Sequence, residues 1–317
     1  MEQLTKYLTD AHSIEVQALA QLRSAPALAD DPENAGAFRE HLQETEEHER
    51  LVRLLLEARG AKPSALKDLV MALGGKGFVL FARVQPDTPG KLQAHALSYE
   101  GLEYASYQLL RRVAERAGDE EVVSVAERIA GEEQAMIERL RDGVDRSAEA
   151  SLRAVGRDDL QEQLRKYLAD AHALEEQAIA LLERGPKLAG SERVAAVYAD
   201  HLAETRDHAE LVAARLSALG GDPSSLKDAA LRLGALNWSA FFRAHPDTPG
   251  KLAAFAFAFE HLEMGGYEQL RVVAEKAEDA DTVSLAERIL EDERGAAQRI
   301  EGVFDEAAAA SLVAQQT

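Results

Sequence analysis

The two halves of the chain are copies of one repeated sequence. The segment Tyr7–His12 recurs as Tyr167–His172, and the same offset of 160 residues aligns almost the whole of one half with the other without a gap. A period of this length indicates a duplicated domain, because the repeats of solenoid proteins run only about 20–50 residues. The 317 residues are therefore expected to form two domains, at residues 1–153 and 158–317.

Each copy has the pattern of an all-helical domain. Glycine and proline cluster at a few places, and the long segments between them are rich in Ala, Leu, Glu and Arg, which favour helix. In the first copy we predict four long helices and one short helix: residues 3–23, 32–59, 64–73, 88–118 and 119 to beyond 144. Two tandem four-helix bundles follow, each with a long crossover that connects its second and third long helices and carries the short one.

Carboxylates interrupt the apolar stripe of every long helix. On the first helix the stripe runs Leu4, Leu8, Ala11, Glu15, Ala18, with steps of three or four residues. Each of the other three long helices also has at least one acidic residue on its apolar face. Each copy therefore carries five acidic residues on faces that should be apolar. These residues are Glu15, Glu44, Glu100, Glu103 and Glu133 in the first copy and Glu175, Glu204, Glu260, Glu263 and Glu293 in the second.

Buried carboxylates cost several kcal/mol each unless they are paired, protonated or bound to a cation. No Lys or Arg occupies the stripe near these residues, so the pattern predicts two divalent metal ions in each core. His48 and His208 are expected to join the ligands. For His41 and His201 two roles stay open, as ligands or as hydrogen-bond donors to ligands. Glu127, Glu132 and Glu287 lie off the stripe, and we expect them to face solvent.

Four short segments carry a resemblance to a known superfamily: Asp10–Gln17, His41–His48, Glu100–Tyr107 and Glu132–Gln134. Here the chain resembles the ferritin-like di-metal carboxylate bundles, and within them the small bacterial stress-associated ferritin-like proteins, whose function is unknown. The paired glutamates of the third long helix are similar to those of rubrerythrins. The resemblance implies two iron or manganese ions in each copy.

The chain departs from the superfamily pattern at two places. His48 follows Glu44 by four residues where the pattern has three, and Glu47 stands at the usual histidine position. On the fourth long helix, Met136 and its counterpart Ala296 replace the second histidine. This departure predicts a site rich in oxygen ligands and poor in nitrogen, which suits manganese as well as iron.

The resemblance implies a protein that handles peroxide, oxygen or Fe(II) in stress defence. It leaves open whether the chain has an oxidase, peroxidase or catalase-like activity. Because the chain contains no cysteine, it cannot carry a rubredoxin-like electron donor, and reductive turnover would need an external one. The alternative is a non-catalytic, acidic helical stress or structural protein whose metal site is structural or degenerate.

Charge limits the classes of partner. The net charge of −20 opposes binding to nucleic acid or to anionic membranes. The N-terminal residues lack the basic start and apolar run of a targeting signal, so we expect a cytoplasmic protein. Superfamily members often pair their bundles, and the duplication therefore predicts a pseudo-dimer within one chain, with further oligomerisation left open.

Overall fold

The computed structural model describes residues 2–64, 87–221 and 248–314. The chain divides into two compact units, Met1–Arg153 and Ala154–Thr317. Within the described residues every regular element is a helix, which confirms the all-α fold class with two tandem repeats. None of the described helices combines the length and the apolar character that a bilayer-spanning segment requires.

The first unit has four long helices and two shorter ones. Each of the long helices α3 and α5 begins at an aspartate whose side chain accepts hydrogen bonds from free backbone N–H groups, Asp31 for α3 and Asp119 for α5. The six helices are α1 (Glu2–Leu22), α2 (Ala25–Leu28), α3 (Pro32–Ala58), α4 (Thr88–Ala117), α5 (Glu120–Asp142) and α6 (Val144–Leu152).

The second unit repeats this order after a single 3-10 turn at Arg157–Asp159. The cap of its fourth long helix is also repeated, because Asp279 accepts from the backbone N–H of Thr282. Its helices are α7 (Leu160–Leu182), α8 (Gly185–Leu188), α9 (Glu192–Ala218), α10 (Thr248–Lys276), α11 (Ala280–Glu301) and α12 (Phe304–Ala314).

Contacts between helix ends give the topology of the first bundle. The start of α3 meets the end of α5, where Asn34 Nδ2 donates to the Gly143 carbonyl at 3.0 Å. The end of α3 meets the start of α5, where Arg59 donates to Asp119. These helices are therefore antiparallel, and so are α4 and α5, which are joined by a two-residue turn. It follows that α3 and α4 run in the same direction, as in a bundle with one crossover.

The predicted helices agree closely with the structure at most of their ends. The fourth long helix is shorter than predicted, because it ends at Asp142. After Gly143 the chain continues as the separate helix α6. A Cβ at Gly143 would lie only 2.3 Å from Asn34 Oδ1, so a larger residue there would displace the Asn34 side chain that contacts the Gly143 carbonyl. The short helix predicted at residues 64–73 lies almost entirely outside the described residues.

The apolar stripes form the core as predicted. Leu4, Leu8, Ala11 and Ala18 are all buried, and Glu15 lies among them with no exposed surface. Burying a leucine side chain contributes about 2 kcal/mol, so these stripes fix how α1 faces its neighbours. The same packing holds Glu15 inside the bundle, where its carboxylate is not hydrated by solvent.

Candidate metal centre

Six polar side chains from all four long helices meet in the interior of the first unit. They are almost completely buried, with exposed fractions between 0% and 2%. We call this set the buried cluster, and it consists of Glu15 on α1, His41 and His48 on α3, Glu100 and Glu103 on α4, and Glu133 on α5.

One end of the buried cluster combines one imidazole with three carboxylates. His41 Nε2 lies 2.9 Å from Glu100 Oε2 and 3.3 Å from Glu133 Oε2. Glu103 completes the group, and the four residues offer ligand atoms that all lie within 4.8 Å of one another. One nitrogen and three oxygen donors at this spacing can surround a divalent ion.

The other end uses the second imidazole. His48 Nδ1 lies 2.9 Å from Glu133 Oε1 and 3.9 Å from Glu15 Oε2. These three residues form a second group of donors within 4.8 Å of one another. Glu133 belongs to both groups and turns a different oxygen towards each, so it lies where a bridging carboxylate would be required.

Most of the donor atoms make no well-formed hydrogen bond among the described residues, although both imidazoles lie close to carboxylate oxygens. This holds for Glu15 Oε2, His41 Nε2 and His48 Nδ1, and for both oxygens of Glu103 and of Glu133. Buried polar atoms are normally hydrogen-bonded, because each unsatisfied one costs about 1–3 kcal/mol. These unsatisfied nitrogen and oxygen atoms belong to the two groups of possible metal ligands described above. A cation would satisfy them, and the buried His and Glu groups could hold metal ions.

Burial and neighbouring charges shift the pKa values of the four carboxyl groups in the buried cluster. Burial raises the pKa of Glu15 to about 8 and that of Glu100 to about 7. Burial and the charge of Glu133 also raise the pKa of Glu103 well above its ordinary value. Burial acts on Glu133 in the same direction, but His41 and His48 outweigh it and lower its pKa. Without a metal, the cluster therefore holds protons where a cation would otherwise balance the carboxylates.

The imidazoles respond in the opposite sense to burial. Burial disfavours the protonated form of His48, but Glu133 and Glu15 outweigh it and raise its pKa to about 9. Glu100 and Glu133 likewise raise the pKa of His41 well above its ordinary value. These two imidazoles are the cationic groups that contact the carboxyl groups of Glu15, Glu100 and Glu133.

A buried tyrosine orients the carboxylate of Glu15. The Tyr107 hydroxyl donates to Glu15 Oε1, which leaves the other oxygen of that carboxylate directed into the cluster. In the second unit Tyr267 donates to Glu175 in the same way. Both tyrosines are fully buried, so this orientation is shielded from water.

The second unit reproduces the arrangement. His201 Nε2 lies 2.9 Å from Glu260 Oε2, and His208 Nδ1 lies 2.9 Å from Glu293 Oε1. The two groups of donors are His201, Glu260, Glu263 and Glu293, and Glu175, His208 and Glu293. Here too a single glutamate, Glu293, is shared.

Ten of the twelve residues predicted as ligands lie in these groups, and Glu44 and Glu204 do not. The Glu44 side chain is 34% exposed, and its Oε2 accepts hydrogen bonds from His41 at 2.9 Å and Arg139 at 2.6 Å. Glu204 lies similarly between His201 and Arg299. The structure thus differs from the expectation of inward-facing carboxylates at these positions, since an arginine of the fourth long helix draws both outward.

His41 and His201, for which two roles were left open, lie in these groups together with the buried carboxylates. Glu132, expected to face solvent, is only 32% exposed, and it accepts a hydrogen bond from His48 Nε2 at 2.6 Å. Its position directly before Glu133 in the sequence was the only signal of this contact. Glu127 and Glu287 are exposed as expected.

One buried hydroxyl distinguishes the two units. Tyr198 of α9 occupies the position of Phe38 in α3, and its hydroxyl has no hydrogen-bond partner among the described residues. Its ring packs against Gly185, where an added Cβ would lie 3.0 Å from Tyr198 Cγ. The first unit has Ala25 at that position.

The family model described as "Domain of unknown function (DUF892)" matches residues 1–153 and again residues 159–313. Each match covers one copy of the repeat. No solved structure matches the chain.

Proposed function

The chain belongs to the family described as Domain of unknown function (DUF892), and from its buried donors we propose that each unit binds two divalent metal ions, iron or manganese. The observation that carries this proposal is the set of buried donor atoms without hydrogen-bond partners. In the first unit, His41, Glu100 and Glu103 would hold one ion, Glu15 and His48 the other, and Glu133 would bridge them.

Bound iron or manganese would supply redox chemistry towards oxygen or peroxide, or the centre would oxidise and hold Fe(II). The protein's own contribution is the arrangement of ligands before any metal arrives. Tyr107 orients Glu15, and the apolar stripes exclude water from donors that are at most 2% exposed. Such exclusion strengthens the attraction between the carboxylates and a cation.

The nitrogen content supports iron as well as manganese. The sequence pattern predicted few nitrogen ligands, but each group of donors includes one imidazole. Both imidazoles of a unit come from a single helix, α3 or α9. One imidazole with two or three carboxylates is a donor set that either metal accepts.

Elemental analysis tests the proposal. We expect protein loaded with Fe(II) or Mn(II) and then desalted to retain about two ions per unit, as di-metal bundles do. The double variant Glu103→Gln/Glu263→Gln should lose metal, since it replaces a carboxylate whose two oxygens have no other partner. Glu127→Gln/Glu287→Gln is the matched control, because these glutamates are exposed on the helices α5 and α11.

Two results would count against the proposal in different ways. Wild-type protein that retains no iron or manganese after loading rules out the metal centre. Protein that retains metal but neither consumes hydrogen peroxide nor oxidises Fe(II) supports the alternative of a structural metal site. In that case, metal loading should still raise the midpoint of thermal unfolding.

A further inference from the structure

Each imidazole of the buried cluster has a second nitrogen that faces away from it. His41 Nδ1 lies 2.9 Å from Glu44 Oε2, and His48 Nε2 lies 2.6 Å from Glu132 Oε2. Both carboxylates are about one-third exposed, so they lie at the boundary between the interior and the solvent. Each histidine therefore connects a buried donor group with a carboxylate at the surface.

Arginines hold both of these carboxylates in place. Arg139 Nη2 donates to Glu44 Oε2 at 2.6 Å, and Arg128 Nε donates to Glu132 Oε1 at 2.9 Å. A carboxylate has several lone pairs, so it can accept from a guanidinium and from an imidazole at the same time. The arginines thus place Glu44 and Glu132 as acceptors for the outward nitrogens of His41 and His48.

The two histidines use opposite nitrogens. His41 turns Nε2 inward and Nδ1 outward, whereas His48 turns Nδ1 inward and Nε2 outward. Both nitrogens of each ring lie near a carboxylate, but a cation bound to the inward nitrogen would leave the single proton of a neutral imidazole on the outward nitrogen. The surface carboxylates accept a hydrogen bond there, from Nδ1 of His41 and from Nε2 of His48, so the two rings would bind a metal as different tautomers.

The second unit repeats the outward contacts of both imidazoles, with one substitution among the carboxylates. His201 Nδ1 lies 3.3 Å from Glu204 Oε2, which also accepts from Arg299. His208 Nε2 lies 3.3 Å from Asp292 Oδ2, so an aspartate stands where the first unit has Glu132. The shorter side chain keeps the carboxylate and its role as acceptor.

We propose that Glu44, Glu132, Glu204 and Asp292 are positioning residues that fix opposite tautomers of the ligating histidines. His41 and His201 keep the proton on Nδ1 and bind metal through Nε2, whereas His48 and His208 keep it on Nε2 and bind through Nδ1. The inference rests on the proposed metal centre and deepens it. It gives Glu44 and Glu204, predicted from the sequence as ligands, the role of orienting a ligand instead.

Nitrogen-15 NMR of the protein loaded with Zn²⁺, a diamagnetic divalent ion, tests the proposal. Long-range proton–nitrogen spectra distinguish the two tautomers, and His→Gln variants assign each ring. We expect two cluster histidines that bind through Nε2 and two that bind through Nδ1. Calorimetry of Zn²⁺ binding by Glu132→Ala should give an affinity about 10–100-fold weaker, the usual loss when the hydrogen-bond partner of a ligating histidine is removed.

The conservative variant Glu132→Asp separates positioning from a general structural effect. It copies Asp292, so we expect it to keep the His48 tautomer and an affinity within about threefold of wild type, unlike Glu132→Ala. The positioning role is overturned if all four rings bind through the same nitrogen, or if Glu132→Ala binds Zn²⁺ as tightly as wild type. A wild-type protein that binds no Zn²⁺ overturns the metal centre itself, and with it this proposal.

Discussion

His41 and His48 lie seven residues apart on α3, with ring centroids separated by 6.4 Å, and both face the same buried carboxylates. Seven residues are close to two helical turns, so one face of one helix supplies both imidazoles. The helix α5 contributes Glu133 and no imidazole to the groups of donors, so both nitrogen donors of the unit come from α3.

Removing one histidine should therefore empty one metal position only. We expect His41→Gln/His201→Gln to reduce the metal content from about two ions per unit to about one, because each donor group has a single imidazole. Glu133→Gln/Glu293→Gln should lose both ions, since Glu133 is shared by the two groups. Elemental analysis after desalting measures the difference. Equal losses from the two double variants would contradict two separate positions that share one carboxylate.

Much of the fold and part of the candidate site follow from the sequence, because helical periodicity determines which residues share a face. The stripe through Leu4, Leu8 and Ala18 was sufficient to predict the burial of Glu15. Periodicity could not choose between His41 and Glu44, which are one turn apart and lie on adjoining parts of α3. That choice depends on Arg139, which is 95 residues further along the chain and reaches Glu44 from α5.

The stability of the metal-free protein should fall as the pH rises through the neutral range. In the metal-free protein the folded-state pKa values are about 8 for Glu15, 7 for Glu100 and 9 for His48, against ordinary values of 4.5, 4.5 and 6.5. Between pH 5 and 9 the folded state therefore holds more protons than the unfolded state. Its free energy of unfolding should fall by about 1 kcal/mol per pH unit for each extra proton.

Urea unfolding of chelator-treated protein at pH 6, 7, 8 and 9 measures this decline. Metal ions displace the same protons, so the affinity for Zn²⁺ or Mn²⁺ should increase over the same range. Glu133 acts in the opposite direction, because its lowered pKa contributes stability that is lost only under acidic conditions. Metal-free stability that rises between pH 6 and 9 would show that the raised pKa values do not govern this range.

Tyr107→Phe should weaken metal binding without changing the number of sites. The hydroxyl donates to Glu15 Oε1 and orients the opposite oxygen, but it is not itself in either group of donors. We expect about a tenfold weaker affinity at the position of Glu15 and His48, by analogy with other residues that orient ligands. Calorimetry with Mn²⁺ measures it, and Tyr7→Phe, on a tyrosine that is buried outside the cluster, is the control.

Tyr198→Phe should stabilise the second unit. The Tyr198 hydroxyl is buried without a partner among the described residues, and such a group costs about 1–3 kcal/mol. The variant recreates the residue that the first unit has at Phe38, so we expect the free energy of unfolding of the metal-free protein to rise by about 1 kcal/mol.

The reverse exchange provides the matched control. Phe38→Tyr should destabilise the first unit, because it places a hydroxyl at a position that is 1% exposed. Gly185→Ala should destabilise the second unit, since its Cβ would approach Tyr198 Cγ to 3.0 Å. Combining Gly185→Ala with Tyr198→Phe should leave that loss in place, because both rings share the atoms that clash. If Tyr198→Phe instead lowers stability, the hydroxyl has a hydrogen-bond partner in solution, and the two units differ by a functional group rather than by a tolerated defect.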